Sequence, residues 1–143
     1  MNDAKMVVLK TNDEITTIPY KEYKDLRKVV EGNIEFFMSE EIKLDGKLTR
    51  LHFICNECFL IDDDISSVNA LMTVYGTDDT IYGNVAIVKN KVDDIEGLTN
   101  KEAKELVSIL KNTIGADKGL LASIHRSLDN NKPKLTGEFI PLM

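Results

Sequence analysis

Two cysteines and two histidines are the side chains best suited to chemistry in this 143-residue chain. Cys55-x-x-Cys58 has a spacing that can hold zinc through two thiolates, but a structural zinc site needs four ligands. His52 and His125 are the only histidines, so a Cys2His2 set would use every Cys and His in the chain. His52 and Cys55 also fall on opposite faces of a predicted strand. A redox role would place the cysteine pair at a helix N-terminus, whereas here the strand-like Phe59-Leu60-Ile61 follows it. The cysteines are therefore expected to be ordinary buried or turn residues, with no metal and no cofactor. Pairing of a histidine with Cys55, Cys58 or Ser123 as nucleophile lacks a local signature, since no G-x-S-x-G surrounds a serine. His52 reads as a surface residue on the polar side of a strand, and His125 as a surface residue beside Arg126.

The eight glycines are scattered near predicted element ends. That argues against a dinucleotide or P-loop enzyme. A nucleotide pocket built from backbone and aromatic groups has no regular sequence pattern, so that alternative stays open. Asp62-Asp63-Asp64, Asp78-Asp79 and Asp93-Asp94-x-Glu96 read as solvated loops, or as a surface attracting a basic partner or a divalent cation. The aspartate triplet lacks the spaced ligands and turn glycine of a calcium loop.

The elements that must position these residues follow from periodicity and turn chemistry. Met6–Leu9 and Ile15–Ile18 read as strands around the turn Thr11-Asn12-Asp13. Pro19 is expected to open a helix carrying Tyr20, Tyr23, Leu26 and Val30 on one face, stopped by Gly32. Ile34–Met38, a short Ile42–Leu44 and Leu48–Cys55 read as strands, the last two separated by Asp45-Gly46. Asn56-Glu57 is a turn candidate from which Phe59–Ile61 could pair back. Val68–Tyr75 reads as a helix ending at Gly76, and Tyr82–Lys89 as a strand with Val85 and Ile87 inward and Val88 a further inward candidate. Thr99-x-x-Glu102 is a capping box opening a helix with Ala103, Leu106, Val107 and Leu110 inward, and Gly115 closes it. A further helix is expected at Leu120–Leu128, and a strand or arm at Leu135–Ile140. The fold class is α+β: a single domain with a small, mostly antiparallel sheet and two to four helices packed on it.

An apolar fraction of 43% excludes a disordered chain, and two cysteines exclude a disulfide scaffold. No apolar run approaches the roughly 20 residues of a membrane span, and the N-terminus lacks a signal-peptide layout. The expected address is the cytoplasm. Residues 61–100 hold 8 acidic and 2 basic side chains, as much negative charge as the whole chain's −6. This excludes nucleic-acid binding through a broad basic face.

Several short motifs, in order, resemble an uncharacterised small-domain family, a domain of unknown function that recurs in bacterial genomes, phages and mobile elements. They are Val30-Glu31-Gly32-Asn33-Ile34-Glu35, Asn56-Glu57, Asn69 entering a helix, Asp79-Thr80-Ile81-Tyr82-Gly83-Asn84-Val85, and Leu98-Thr99. The match covers about residues 5–112, which defines a family-like core at 1–112 and an extension at 113–143. Where the family usually shows Gly after Asn-Glu, this chain has Cys58. The resemblance implies no established activity. It picks out Asn56, Glu57, Asn69, Asp79 and Gly83. Each has a structural role to hand: turn, helix cap, Asx turn or close backbone approach. The alternative is a polar cluster in which Glu57 and Asn69 converge beside the Asp79 turn on a ligand.

The leading expectation is a non-catalytic binding protein of the phage or mobile-element type, which inhibits or sequesters a host factor, for instance one of defence. The rival is a small-ligand or nucleotide-signal sponge acting as a homo-oligomer. A small cysteine- or histidine-dependent enzyme ranks below both. Apolar Leu120, Leu121, Ile124, Leu128 and Phe139-Ile140-Pro141-Leu142-Met143 must dock somewhere. Either residues 118–143 contribute to a homodimer or they cover the domain's own sheet.

Overall fold

The computed structural model describes residues 4–57, 69–76, 81–92 and 94–114 together with Leu121. Among these residues an antiparallel six-stranded sheet carries three helices of more than one turn, a single-domain α+β fold. Strand β1 is Lys5–Leu9, β2 is Ile15–Pro19, β3 is Ile34–Leu44, β4 is Lys47–Asn56, β5 is Val85–Lys91 and β6 is Asp94–Glu96. Helix α1 is Tyr23–Val30, α2 is Ala70–Tyr75 and α3 is Asn100–Ile114. The strand order is β2-β1-β5-β4-β3, with β6 paired to β5 alongside Lys89–Lys91.

Helices lie on both faces of the sheet, which explains the unbroken apolar runs in β1 and β5. Val7, Leu9, Leu51, Phe53, Cys55, Val85 and Ile87 face α2 and α3. Met6, Val8, Ile54, Ala86 and Val88 share the opposite face with Leu26 of α1. Alternating strand residues are therefore buried on either side. Ile54 of β4 and Val88 of β5 are thus as fully buried as Phe53 and Ile87 on the other side.

The chain first departs from expectation at Pro19, which ends β2 instead of opening a helix. β2 is an outer strand, where a missing N–H leaves no gap in the sheet's ladder. Tyr20 then donates its N–H to the Ala4 carbonyl at 2.9 Å, so it precedes the helix. Asp25 Oδ2 accepts from the N–H groups of Lys21 (2.7 Å) and Glu22 (3.1 Å) and closes the first turn. The left-handed residue that ends α1 is Glu31 (φ 62°), not Gly32. Gly32 is needed for another reason: a Cβ there would lie 2.5 Å from Asn56 Nδ2.

The two predicted strands at Ile34–Met38 and Ile42–Leu44 are one strand, irregular between Phe36 and Met38. Asp45 (φ 51°) and Gly46 (φ 76°) make the tight β3–β4 turn, as their types suggest. That turn is tied to α3: Asp45 N–H donates to Glu105 Oε1 at 2.8 Å, and Lys101 approaches Asp45 at 3.1 Å. Both sides of β4 are taken, by β3 and β5. Residues 59–61 lie outside the described residues, as do Gly115 and the expected elements at 122–143. β6, read from sequence as an acidic loop, is a strand. β5 begins only at Val85, because Gly83 (φ 90°) turns the chain before it.

The Thr99–Glu102 capping box is present. Glu102 N–H donates to Thr99 Oγ1 at 3.1 Å, and Thr99 N–H to Glu102 Oε1 at 2.9 Å. The same oxygen meets Lys89 Nζ at 2.8 Å in a nearly buried pair. Burial pushes the Glu102 carboxyl up, but Lys89 and the bonds from Thr99 outweigh it and hold it below its ordinary range. α3 runs to Ile114, across the boundary expected at 112, and Leu121 is buried in the same core. No helix among the described residues is long and apolar enough to cross a membrane.

Candidate functional site

Four of the five residues singled out from sequence lie at one end of the sheet, where β1 and β4 finish and β5 begins. The last carbonyls of a helix lack partners within it, and here strand-end asparagines supply them to α1. Asn56 Nδ2 donates to the carbonyls of Val30 and Glu31, both at 3.1 Å. Asn84 Nδ2 donates to the Val29 carbonyl at 3.2 Å, while its Oδ1 accepts from Thr11 N–H at 3.2 Å. Glu57 accepts from Asn33 Nδ2 at 2.9 Å, and its N–H donates to the Asn33 carbonyl at 2.9 Å.

Asn69 is fully buried and joins three segments. Its Oδ1 caps α2 by accepting from Met72 N–H at 3.1 Å. Its Nδ2 donates to the carbonyls of Leu9 and Gly83, each at 2.9 Å. Asn69 and Gly83 thus meet directly, and Asn56 meets the end of α1. Glu57 and Asn69 bond to different partners. Asp79 lies outside the described residues. Asn84 was quoted within the motif but not singled out, although it performs the same carbonyl-satisfying chemistry as Asn56.

Cys55 is fully buried, and burial, helped by the Glu35 charge, pushes its thiol up to about 12. In this environment the thiol is held protonated at neutral pH. His52 lies on the α1 side, opposite to Cys55, as alternation requires. It is half-buried beside the Phe36 ring, 5.5 Å between centroids. His52 Nε2 lies 3.1 Å from Asn90 Oδ1 and Nδ1 lies 3.1 Å from Ser39 Oγ. An amide oxygen only accepts, so Nε2 carries the proton and Ser39 donates to Nδ1. Ser39 is directly opposite His52 in the β3–β4 register, which makes the chain a cross-strand pairing. Among the described residues no three potential metal ligands converge. Cys58 and His125 lie outside them.

A site that sequence spacing did not reveal is a cleft of about 540 Å³ between the start of α1 and β6. Tyr20, Glu22, Tyr23, Asp94, Glu96 and Gly97 line it, with Lys21 at the side. Gly97 seats Tyr20: a Cβ at 97 would lie 3.1 Å from the Tyr20 ring and 2.7 Å from Ala4 Cβ. Tyr23 donates its hydroxyl to Asp94 Oδ1 at 3.3 Å, and that oxygen also accepts from Ile95 N–H at 2.8 Å. Burial, then Tyr23 and the nearby carboxylates, raise the Tyr20 hydroxyl above the usual tyrosine value. Burial and then Asp94 do the same for Tyr23. More than 70 residues separate the two walls in sequence, so no local pattern could have joined them.

The fold and these sites define a small antiparallel α+β domain whose most specific polar residues hold its own backbone. No family model, no curated protein and no solved structure matches the chain.

Proposed function

We propose that the protein is a non-catalytic binding protein of the phage or mobile-element type, working in the cytoplasm by occupying a host protein. One observation supports this reading: among the described residues, none covers the outer part of the α1-side sheet face. Ile54 faces α1, so alternation places His52, Arg50 and Leu48 on the same side, with their register partners Ser39, Glu41 and Lys43. Phe36, opposite Ile54, is 43% exposed, and Leu48 is 72% exposed. Exposed apolar side chains rimmed by charged ones, here Glu41 and Arg50, characterise protein-binding surfaces. The acidic cleft next to this face disfavours an anionic nucleotide there, which supports a protein partner over the nucleotide-sponge reading.

The test places a photo-crosslinking residue at Phe36, at Leu48, or at exposed Lys104 on α3, and exposes each protein to bacterial lysate. The same protein crosslinked from 36 and 48 but not from 104 supports the proposal. Equal crosslinking from all three, or a nucleotide retained in stoichiometric amount with no protein, overturns it.

A further inference from the structure

We propose that the cleft between α1 and β6 takes the guanidinium of an arginine carried by the partner protein. This inference rests on the protein-binding reading above and names the chemistry of the partner.

Tyr20 carries the argument. It is 8% exposed, packed with Met6, Val8 and Leu26, and it lines the cleft. Yet its hydroxyl bonds to no described residue, and it is not sealed from solvent. A phenol so deeply held ordinarily finds a partner. Here Tyr20 lines a concavity in which the Asp94, Glu22 and Glu96 carboxylates accept hydrogen bonds. Asp94 uses Oδ1 for both Tyr23 and Ile95, which leaves Oδ2 without a donor among the described residues. Glu22 and Glu96 add charge at the walls, each in a loose ion pair, with Lys24 at 3.2 Å and Lys89 at 3.6 Å. With Glu22 and Glu96 offset by these lysines, Asp94 is the lining carboxylate that has no ion-pair partner among the described residues.

What is missing from such a site is a donor-rich cation. A guanidinium offers five N–H donors in a plane and sheds water more readily than an ammonium. It can donate to Asp94 Oδ2 and to the Tyr20 oxygen together, and the half-exposed Tyr23 ring offers a surface for stacking. The cleft is ample for one side chain and lies on the same sheet side as Phe36, so one partner can reach both. The excess of acidic residues in the chain favours approach of a basic partner.

The experiment measures fluorescence anisotropy of a labelled Gly-Arg-Arg-Gly peptide with the full-length protein at low salt. A citrulline peptide, equal in shape but uncharged, is the control. Arginine binding with little citrulline binding is expected. Tyr20→Phe removes only a hydroxyl with no partner among the described residues, so folding is expected to be unchanged while affinity falls roughly 3- to 10-fold. Asp94→Asn is expected to weaken binding about tenfold or more, and Glu14→Gln, at the exposed Lys10 ion pair in the β1–β2 turn, to leave it unchanged. Equal binding of arginine and citrulline peptides, or affinity unaltered in both Tyr20→Phe and Asp94→Asn, overturns the inference. If crosslinks from 36 and 48 persist in that case, the protein-binding reading stands and only the arginine cleft falls. If those crosslinks are absent, the broader reading has failed.

Discussion

On one face of the sheet, Phe53 is sealed by Phe37 and Tyr75, ring centroids at 6.3 and 5.4 Å, under α2 and the fifteen-residue α3. On the other face, α1 has eight residues and buries only Leu26 and Val30. At 1.5 Å per residue α1 spans about 12 Å, whereas the eleven residues of β3 run about 36 Å. α1 alone does not cover that face, and among the described residues Phe36 and Leu48 stay exposed beyond its reach. The difference separates two duties. The covered face supplies stability, and the less covered face, with the tyrosine cleft at the start of α1, is where the proposed partner would bind.

The largest expected effect tests this division directly. Phe53→Ala should destabilise the protein by about 3–5 kcal/mol, and Phe36→Ala by less than about 1 kcal/mol, in urea denaturation. Similar losses for both would mean that the α1 side is as closely packed as the other.

Asn69→Ala comes next, with an expected loss of about 2–4 kcal/mol. It leaves two buried carbonyls without a donor and uncaps α2. Asn69→Asp keeps the cap on Met72 but cannot donate to Leu9 or Gly83, so it should recover little. Hydrogen exchange of the α2 amides reads the same change locally. Normal stability in Asn69→Ala would show that α2 is held by other contacts.

The smallest effect sharpens the comparison from the covered side. Glu102→Gln should cost about 1–2 kcal/mol at pH 7, because Lys89 retains Glu96 at 3.6 Å. The native Glu102 carboxyl is held below its usual value of 4.5. Its contribution is therefore complete above that value and is lost as pH falls through the lower native one. The wild type should lose more stability than Glu102→Gln between about pH 5 and pH 3. Parallel curves would remove the ion pair from the account.

Much of the local structure was legible because it depends on neighbouring residues. Thr99 and Glu102 are three positions apart and cap as their types dictate. Asp45-Gly46 turns the hairpin, and Asn69 and Gly76 bound α2. Pro19 was misread because its tolerance at helix starts and on outer strands depends on sheet position, which the local pattern does not carry. β6 was missed because three residues, two of them acidic, lack any alternation strong enough to mark a strand. The asparagines were noticed through a motif, but their roles depend on carbonyls 14 to 60 residues away.

By itself the sequence determined an antiparallel α+β domain, the caps and turns that bound its elements, and the opposite facing of His52 and Cys55. These are consequences of backbone periodicity and of hydrogen bonds spanning a few residues. Only the tertiary structure decided that Asn56, Asn69 and Asn84 satisfy the fold's own carbonyls, that Phe36 and Leu48 are exposed on the α1 side, and that Tyr20 and Asp94 share a cleft. Each depends on strand order and on how far a helix reaches across the sheet, and those are fixed by packing between segments distant in sequence.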